Sequence, residues 1–367
     1  MPTSQSKRRL RCFLCAGLFL VVILASVTCS GTRPPAPASA PAAPAAPSAS
    51  WLCASSPRTV SLETLGVPAG NQPIDLAISP EKVTVLLSPA RLVTFARSNP
   101  AVVDMIVGQA SDSWRAIDRD PEDGSLWVAS EENVSLLRVA ETGERIVVVG
   151  PRVEGRGGFS QIRIASDAIY AVPTRAASAV WRLSREGKLL GQSFREEKEE
   201  EPTDAREVAS RTFWLARDLD GNVVGLHLHS GQLYGANADG TWAALPDHFP
   251  ARPPSHARSL RGEAVGTSSE SWYFTDVIHG LFFLPGGPAV LGSRAIGLRS
   301  KGGTVFRAKD GRIEAAIEHC AENGLLMVVS DRSGFVGVSG GAGLIERSGA
   351  RRPLPPQVII GHFHAGT

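Results

Sequence analysis

The chain has 367 residues, 43% of them hydrophobic, which is enough to bury a large core in one domain or two. It carries 38 basic and 36 acidic residues, and four of the basic ones lie before residue 12, so the remainder has a slight acidic excess. A body without a basic field lacks the electrostatic footprint of nucleic-acid binding, and we expect no nucleic-acid partner.

Residues 1–28 have the pattern of an export signal. A basic start is followed by an apolar run from Cys12 to Val27 with small residues near its end. The positive charge keeps the N-terminus in the cytoplasm and sends the following chain across the membrane. We therefore predict that residues 1–28 are a signal peptide or membrane anchor and that the body is on the periplasmic or extracellular side.

The stretch "SVTC", Ser26 to Cys29, resembles the lipobox of bacterial lipoproteins. The resemblance implies that Cys29 is lipidated and becomes the first residue of the mature protein. Two alternatives stay open. As a helix, Leu10 to Thr28 would be about 28 Å long and would just span a bilayer as an uncleaved anchor. The second alternative is cleavage of the signal without attachment of a lipid.

Residues 29–57 are predicted to be a tether. Gly31 to Ser50 consists mostly of proline, alanine and serine, a composition that buries little apolar surface and forms an extended spacer. Beyond Cys29, the exported chain contains two cysteines, Cys53 and Cys320. In an oxidising compartment they are candidates for a disulfide, and the alternative is that they are unpaired buried residues.

From Arg58 onward the chain consists of short β-rich runs separated by glycine, aspartate and serine. A unit of four such runs recurs, which is the signature of a β-propeller blade. The copies cover Ile74–Gly108, Arg115–Gly150, Ile162–Phe194, Phe213–Leu245 and Leu325–Gly349.

The least regular stretch, Arg258 to Glu318, contains one blade with an insertion or two short blades. We therefore predict an all-β fold, a single β-propeller of four-stranded antiparallel sheets over residues 58–355, with six blades or, if that stretch divides, seven. Arg58 to Leu65 is expected to supply the outer strand of the last blade and close the ring. Residues 356–367 are predicted to be a C-terminal tail.

The blades, particularly "DPEDGSLWVASEENVSLLRVAETGE", resemble those of the six-bladed superfamily that includes NHL-type, TolB-like and SMP-30-like propellers. The resemblance covers roughly Arg58 to Pro355 and implies the fold, which hosts many functions. SMP-30-like lactonases hold a divalent cation in the channel with acidic and amide groups. Asp75, Asn133 and Asp331 are residues of suitable types, but no motif assigns any of them that role.

Inner-strand arginines are the main candidates for ligand binding. Arg163 and Arg217 each precede the matching apolar position of the next strand by six residues, and Arg115 is a third candidate. Arginines at like positions of adjacent blades would form a fork for a carboxylate or phosphate. Asp75 is a further candidate ligand-binding residue. The alternative is a structural role, in which they pair with nearby aspartates, namely Asp118, Asp167 or Asp218.

His227 and His229 lie two residues apart in a predicted strand, so their rings share a face and could begin a metal site. No third ligand is evident, and a solvated strand face is the alternative. The exported body contains no H-E-x-x-H, Walker or paired C-x-x-C motif, and we assign no catalytic residue.

These observations predict an exported, lipid-anchored, monomeric β-propeller that binds a protein, a glycan or a small anionic ligand and catalyses no reaction. No cofactor is predicted. The alternative function is a lactonase or other hydrolase of the SMP-30-like kind, which would require a divalent cation.

Overall fold

A computed structural model describes most of the chain beyond residue 56. The described residues are 57–68, 70–101, 103–109, 111–150, 157–174, 180–194, 213–228, 230–249, 260–261, 272–273, 276–296, 299–300, 304–309, 312–317, 325–339, 344–345, 351–352 and 356–362. The predicted signal, Cys29, the tether, Cys53, His229 and Cys320 lie outside them. No helix among the described residues has the length and apolar character needed to cross a membrane.

Strand β1 (Arg58–Ser61) and a short 3-10 helix (Glu63–Leu65) precede four antiparallel sheets, each built from four consecutive strands. Sheet A contains β2 (Pro73–Ile78), β3 (Lys82–Leu87), β4 (Arg91–Ala96) and β5 (Val103–Val107). Sheet B contains β6 (Trp114–Arg119), β7 (Leu126–Ser130), β8 (Ser135–Val139) and β9 (Arg145–Val149). Sheet C contains β10 (Phe159–Ile164), β11 (Ile169–Pro173), β12 (Val180–Leu183) and β13 (Leu189–Ser193). Sheet D contains β14 (Phe213–Arg217), β15 (Val223–His227), β16 (Gln232–Ala236) and β17 (Trp242–His248).

The second half of the chain is less regular. Strands β18 (Leu260–Arg261) and β19 (Trp272–Tyr273) form a small hairpin. Sheet E contains β20 (Asp276–Leu284), β21 (Gly287–Ile296), β22 (Arg299–Ser300), β23 (Thr304–Lys309) and β24 (Arg312–Ile317). Sheet F is ordered β25 (Leu325–Asp331), β26 (Gly334–Ser339), β29 (Gln357–His362) and β1, and β27 (Leu344–Ile345) pairs with β28 (Arg351–Arg352) apart from it.

The sheets confirm a propeller of four-stranded antiparallel sheets but correct the predicted count of six or seven such blades. Five sheets, A to D and F, have four strands, whereas sheet E has five. The difference arises because β21 is ten residues long and its end pairs with the short β22, at Ala295 with Ser300 and Ile296 with Arg299. The irregular stretch of the sequence therefore forms one sheet with an additional short strand.

Sheet F also corrects the predicted C-terminal boundary. Its third strand is β29, which pairs with β26 and lies in the segment 356–367 that was predicted to be a tail. The expected closure is confirmed, because β1 pairs with β29 and forms the outer strand of this sheet. The first strand therefore completes the last sheet, in which every strand is hydrogen-bonded to its neighbour.

The core consists of apolar layers between neighbouring sheets. Both faces of the second strands are buried, as in β7 and β11, because each sheet packs against a sheet on either side. One cluster joins sheet F to sheet A through Val336 and Val85, and others join each consecutive pair of sheets. The ring is therefore closed by apolar packing between all neighbouring sheets as well as by the pairing of β1 with β29.

The first strands of the sheets surround a central channel. Strands β2, β6, β10, β14, β20 and β25 contact one another in this order, and β25 contacts β2. Each of them ends at the same mouth of the channel, where the chain turns into the second strand of the sheet. Side chains near the ends of six separate strands are thereby brought together.

Candidate functional site

A cavity of about 750 Å³ lies on the channel axis at this mouth. Residues of every inner strand line it, from Leu76 in sheet A to Ser330 in sheet F. Its charged lining comprises eight acidic residues (Glu81, Asp118, Asp120, Glu122, Asp123, Glu141, Asp218 and Asp331) and four basic ones (Lys82, Arg119, Arg163 and Arg217). Every sheet contributes to this concave site, and all except sheet E, which contributes Leu281 and Phe282, contribute polar side chains. It is the candidate functional site.

Part of this acidity is explained by the hairpin turns that border the mouth. Asp218 Oδ1 accepts hydrogen bonds from the backbone N–H groups of Asp220 (2.9 Å) and Asn222 (2.8 Å). Asp331 Oδ1 accepts one from the N–H of Ser333 (2.8 Å). Aspartate is favoured in such turns because its carboxylate satisfies N–H groups that the ladder leaves unpaired. Turn formation therefore places carboxylates at the mouth whether or not a ligand uses them.

Two inner-strand aspartates link their own sheet to the next. Asp75 Oδ2 accepts a hydrogen bond from Ile117 N (2.9 Å), while its Oδ1 accepts one from Leu76 N (2.8 Å). Asp118 Oδ2 accepts one from Ile164 N (2.6 Å). Both carboxylates satisfy backbone N–H groups at the sheet boundaries, so each has a structural role.

Gln161 makes the same kind of link from sheet C to sheet D. Its Oε1 accepts a hydrogen bond from Leu215 N (2.8 Å), and its Nε2 donates one to Phe213 O (2.9 Å). The side chain is buried, and the amide group matches one donor and one acceptor of the neighbouring strand. Sequence reasoning missed this residue, although a glutamine between Phe159 and Ile162 on a buried strand was a usable signal.

Arg217 is committed to the sheets around it. Its Nη2 donates to Asp118 Oδ2 (2.5 Å), Arg119 O (2.6 Å) and Ile164 O (2.6 Å), so it joins sheet D to sheets B and C. The side chains of Arg217 and Asp118 are 17% and 10% exposed. Burial lowers the pKa of the Arg217 guanidinium, and the Asp118 carboxylate opposes that change. The structural alternative for this arginine, a pair with Asp118, is thus what forms.

Arg163 lines the same cavity with far fewer contacts. Within the described part of the chain its only hydrogen bond runs from Nη1 to Ile162 O (2.6 Å), and it forms no ion pair. Burial raises the pKa of the Asp75 carboxyl, and the positive charge of Arg163 opposes that rise, so the two groups sense each other without direct contact. Arg163 therefore has hydrogen-bonding capacity that its neighbours leave unused.

Arg115 is not brought to this site. It lies at the start of β6, whereas the cavity is at the end of that strand, and its side chain is exposed. It falls where the register between β6 and β7 shifts, between Trp114 and Ala116. Of the three candidate arginines, the cavity lining includes Arg163 and Arg217.

Further ion pairs hold neighbouring sheets together around the mouth, namely Arg97 with Asp331 (2.5 Å), Arg185 with Asp120, and Lys82 with Glu141 (2.9 Å). The Arg97 side chain is only 5% exposed and also donates to Ser333 Oγ (2.6 Å), so it fixes sheet A to sheet F. The pair of Lys82 and Glu141 is exposed, at 40% and 53%. Most cations at the mouth thus have a carboxylate partner.

The predicted histidine pair is represented by one of its members, because His229 lies outside the described residues. His227 Nδ1 is 2.8 Å from Ser230 Oγ, and its ring stacks on Phe213 with centroids 4.9 Å apart. These contacts give His227 a structural environment in sheet D.

The residue types that suit a divalent cation are spread over the fold. Asn133 lies in the turn between β7 and β8, at the opposite end of its sheet from the cavity, and its Oδ1 accepts from Ser135 N (3.0 Å). Asp75 lies within β2, and Asp331 is paired with Arg97. Across the described ranges, no three histidine, cysteine or acidic residues are grouped so that they could hold a metal ion.

Comparison with known proteins supports the fold. Protein-family models give no match, and curated proteins give no significant sequence match. Among solved structures, a gluconolactonase from Xanthomonas campestris is similar with a TM-score of 0.50 and 15% identity, covering 86% of this chain and 92% of that one. U3-55K (TM-score 0.49, 11% identity, 83% and 98% covered) and a virginiamycin B lyase from Staphylococcus aureus (0.44, 12%, 83% and 98%) are also similar.

The gluconolactonase similarity and the sheet topology define the class of this protein. It is an all-β propeller of four-stranded antiparallel sheets. At 15% identity the similarity bears on the fold alone, and function has to be argued from the cavity.

Proposed function

We propose that this protein is a binding module, and that the cavity at the channel mouth receives a small ligand bearing a carboxylate or phosphate group. The observation that carries the proposal is the state of Arg163, which lines the cavity with one hydrogen bond to Ile162 O. A guanidinium group presents five N–H donors in a fixed fork that matches such anions. Arg163 is the proposed anion-binding residue.

The engagement of the neighbouring groups supports binding rather than catalysis. Asp75 uses both carboxylate oxygens for backbone N–H groups, and Asp118 binds Ile164 N and Arg217. A carboxylate that acts as a general base or metal ligand must be free to approach the substrate or ion. We therefore propose no reaction for this site.

The test uses the full-length chain in detergent and compounds that carry a carboxylate or phosphate, with and without an amine. A ligand that binds the native state raises the midpoint of thermal unfolding. We expect at least one compound to raise the midpoint for the wild type and for Arg145→Met, an exposed arginine on β9 outside the cavity, but not for Arg163→Met. Shifts that are absent, or equal in Arg163→Met, would refute the proposal.

The alternative is a divalent-metal-dependent lactonase or hydrolase. The observation in its favour is the acidic lining of the cavity, and a gluconolactonase shares the fold. Hydrolysis of a lactone panel by the purified protein with calcium, zinc or magnesium, abolished by Asp75→Ala, would establish it over the binding module. Absence of stoichiometric metal, with none taken up on addition of these ions, would count against it.

We also propose that the propeller is exported as a monomer and anchored to the membrane by a lipid on Cys29. The apolar signal, the "SVTC" stretch and the proline-rich tether support this location. Fractionation of cells that express the wild type or Cys29→Ala tests it, with lipidation followed by labelling with a fatty-acid analogue. We expect the substitution to abolish labelling and release the protein from membranes, whereas an unchanged membrane fraction would indicate an uncleaved anchor.

A further inference from the structure

We propose that the ligand of the cavity is a zwitterion, with a carboxylate bound by Arg163 and an ammonium group facing Glu81 and Asp218. This inference rests on the binding function proposed for the same cavity and specifies the class of ligand. It follows from two features of the charged lining, its net charge and the depth at which each charge lies.

The first feature is the excess of negative charge. Eight acidic residues line the cavity against four basic ones. Several acidic residues are neutralised locally, by Arg97, Arg185, Arg217 or Lys82. Glu81 and Asp218 form no ion pair within the described ranges. The Asp218 oxygens accept hydrogen bonds from uncharged groups, namely Asp220 N, Asn222 N and Asn222 Nδ2, so its negative charge is not neutralised by a cation. An anion without a compensating positive charge would be repelled before it reached Arg163.

The second feature is the order of charges along the channel. Arg163 is the fifth residue of the six-residue strand β10 and therefore lies within the wall. Glu81 lies in the turn after β2, and Asp218 directly follows β14, so both are beyond the ends of their strands. The unused positive charge is thus deeper than the unpaired negative charges. A ligand with its carboxylate inward and its ammonium outward matches this order.

The charge balance also favours a carboxylate over a phosphate. Arg217 is already paired with Asp118. Arg119 forms no ion pair in the described ranges, but it is buried and donates to Gly124 O (2.7 Å) and Thr84 Oγ1 (2.8 Å), which leaves Arg163 as the cavity cation with the most unused hydrogen-bonding capacity. One guanidinium compensates a monoanion but not the nearly double charge of a phosphate monoester. The cavity volume of about 750 Å³ is ample for an amino-acid derivative or a short peptide.

The experiment compares three probes of equal chain length: 6-aminohexanoate, hexanoate and hexylammonium. Their dissociation constants for the full-length protein in detergent are measured by calorimetry or NMR titration. We expect 6-aminohexanoate to bind about tenfold more tightly than either probe that lacks one charge. Phosphoethanolamine is included as the phosphate zwitterion and is expected to bind more weakly than 6-aminohexanoate.

Substitutions test which residues bind the carboxylate and which bind the ammonium group of the ligand. Arg163→Met should reduce the affinity for 6-aminohexanoate about tenfold, to that for hexylammonium, whereas Arg145→Met should not change it. The double variant Glu81→Gln with Asp218→Asn should reduce the affinity to that for hexanoate. Glu144→Gln, at an exposed carboxylate that does not line the cavity, is the matched control.

The outcomes separate this inference from the function on which it rests. If hexanoate binds as tightly as 6-aminohexanoate and needs Arg163, the anion-binding function stands and the zwitterion is refuted. If phosphoethanolamine binds most tightly, the choice of carboxylate is wrong. If no probe binds, or if binding is unaffected by both sets of substitutions, the zwitterion is overturned, and Arg163-dependent binding in the wider panel decides the proposed function separately.

Discussion

Sheets C and D each carry an arginine near the end of the inner strand, yet the two side chains are in opposite situations. Arg217 on sheet D binds a carboxylate and two carbonyl groups of sheets B and C. Arg163 on sheet C donates once, to the carbonyl of its own neighbour, Ile162. Strand position therefore brings an arginine to the channel, and the acceptors around it decide whether it stabilises the fold or remains available to a ligand.

Each of the two arginines is related to an aspartate two sheets earlier, but only one of the two pairs is in direct contact. Asp118 lies two sheets before Arg217 and pairs with it directly. Asp75 lies two sheets before Arg163 and influences it through charge, but its oxygens are occupied by Ile117 N and Leu76 N. Asp118 and Arg217 are in direct contact, whereas Asp75 and Arg163 are not. The cavity lining includes Arg163 together with both members of the paired Asp118 and Arg217.

The largest expected difference between the two arginines is in their contribution to stability. Arg217→Met removes the partner of a mostly buried carboxylate, and we expect the free energy of unfolding to fall by about 3 kcal/mol. Arg163→Met should lower it by less than about 1 kcal/mol, because one hydrogen bond is lost from a partly exposed side chain. Urea unfolding followed by circular dichroism measures both. Equal losses would contradict the distinction between the two arginines.

A smaller loss is expected at the link between sheets C and D. Gln161→Leu leaves Leu215 N and Phe213 O without their buried partner, which should cost about 2 kcal/mol of unfolding free energy. Gln192→Leu, on the exposed outer strand of the same sheet, should change it by less than about 0.5 kcal/mol. A Gln161 variant as stable as the Gln192 variant would show that this link contributes nothing.

The raised pKa of Asp75, which has no direct contact with Arg163, predicts that the free energy of unfolding depends on pH. Because burial raises the pKa of Asp75 above the ordinary 3.8, the native state retains a proton that the unfolded chain releases. Stability from this group is therefore present at low pH and is lost as the pH rises from about 4 through the raised native pKa. Asp75→Asn should flatten that part of the profile of unfolding free energy against pH. A wild-type contribution from Asp75 that rises over the same range would contradict the assignment.

The smallest effect is expected at the exposed rim. Lys82→Met breaks the ion pair with Glu141, but both side chains are solvated, so the unfolding free energy should change by less than about 0.5 kcal/mol. The same urea experiment checks this. A loss above about 1 kcal/mol would contradict the weak contribution expected of a solvated rim pair.

The sequence predicted sheets A to D closely because each carries its own turn signals. Gly124 and Gly221, with φ of 70° and 89°, mark the turns after β6 and β14, where residues with a side chain are disfavoured. The third strand of sheet F was missed because it is separated from its neighbour β26 by the β27–β28 hairpin. Local pattern identifies strands, but it does not show which distant strand pairs with which.

The candidate site was predicted in part. Arg163 and Arg217, which share a spacing, both line the cavity, whereas Arg115 lies at the other end of its strand; ligand binding by Arg163 and Arg217 stays a prediction. Whether such an arginine forms an ion pair or remains available to a ligand depends on a carboxylate two sheets away. That relation is set by the packing of the ring and has no counterpart in the spacing along the chain.

The most direct test of the central claim observes the two arginines together. The guanidinium N–H signals of Arg163 and Arg217 are assigned by their loss in Arg163→Met and Arg217→Met, and are then followed by NMR during titration with 6-aminohexanoate. The account predicts a saturable shift of the Arg163 signals, with those of Arg217 unchanged. Arg163 signals that do not respond, or Arg217 signals that shift equally, would contradict it.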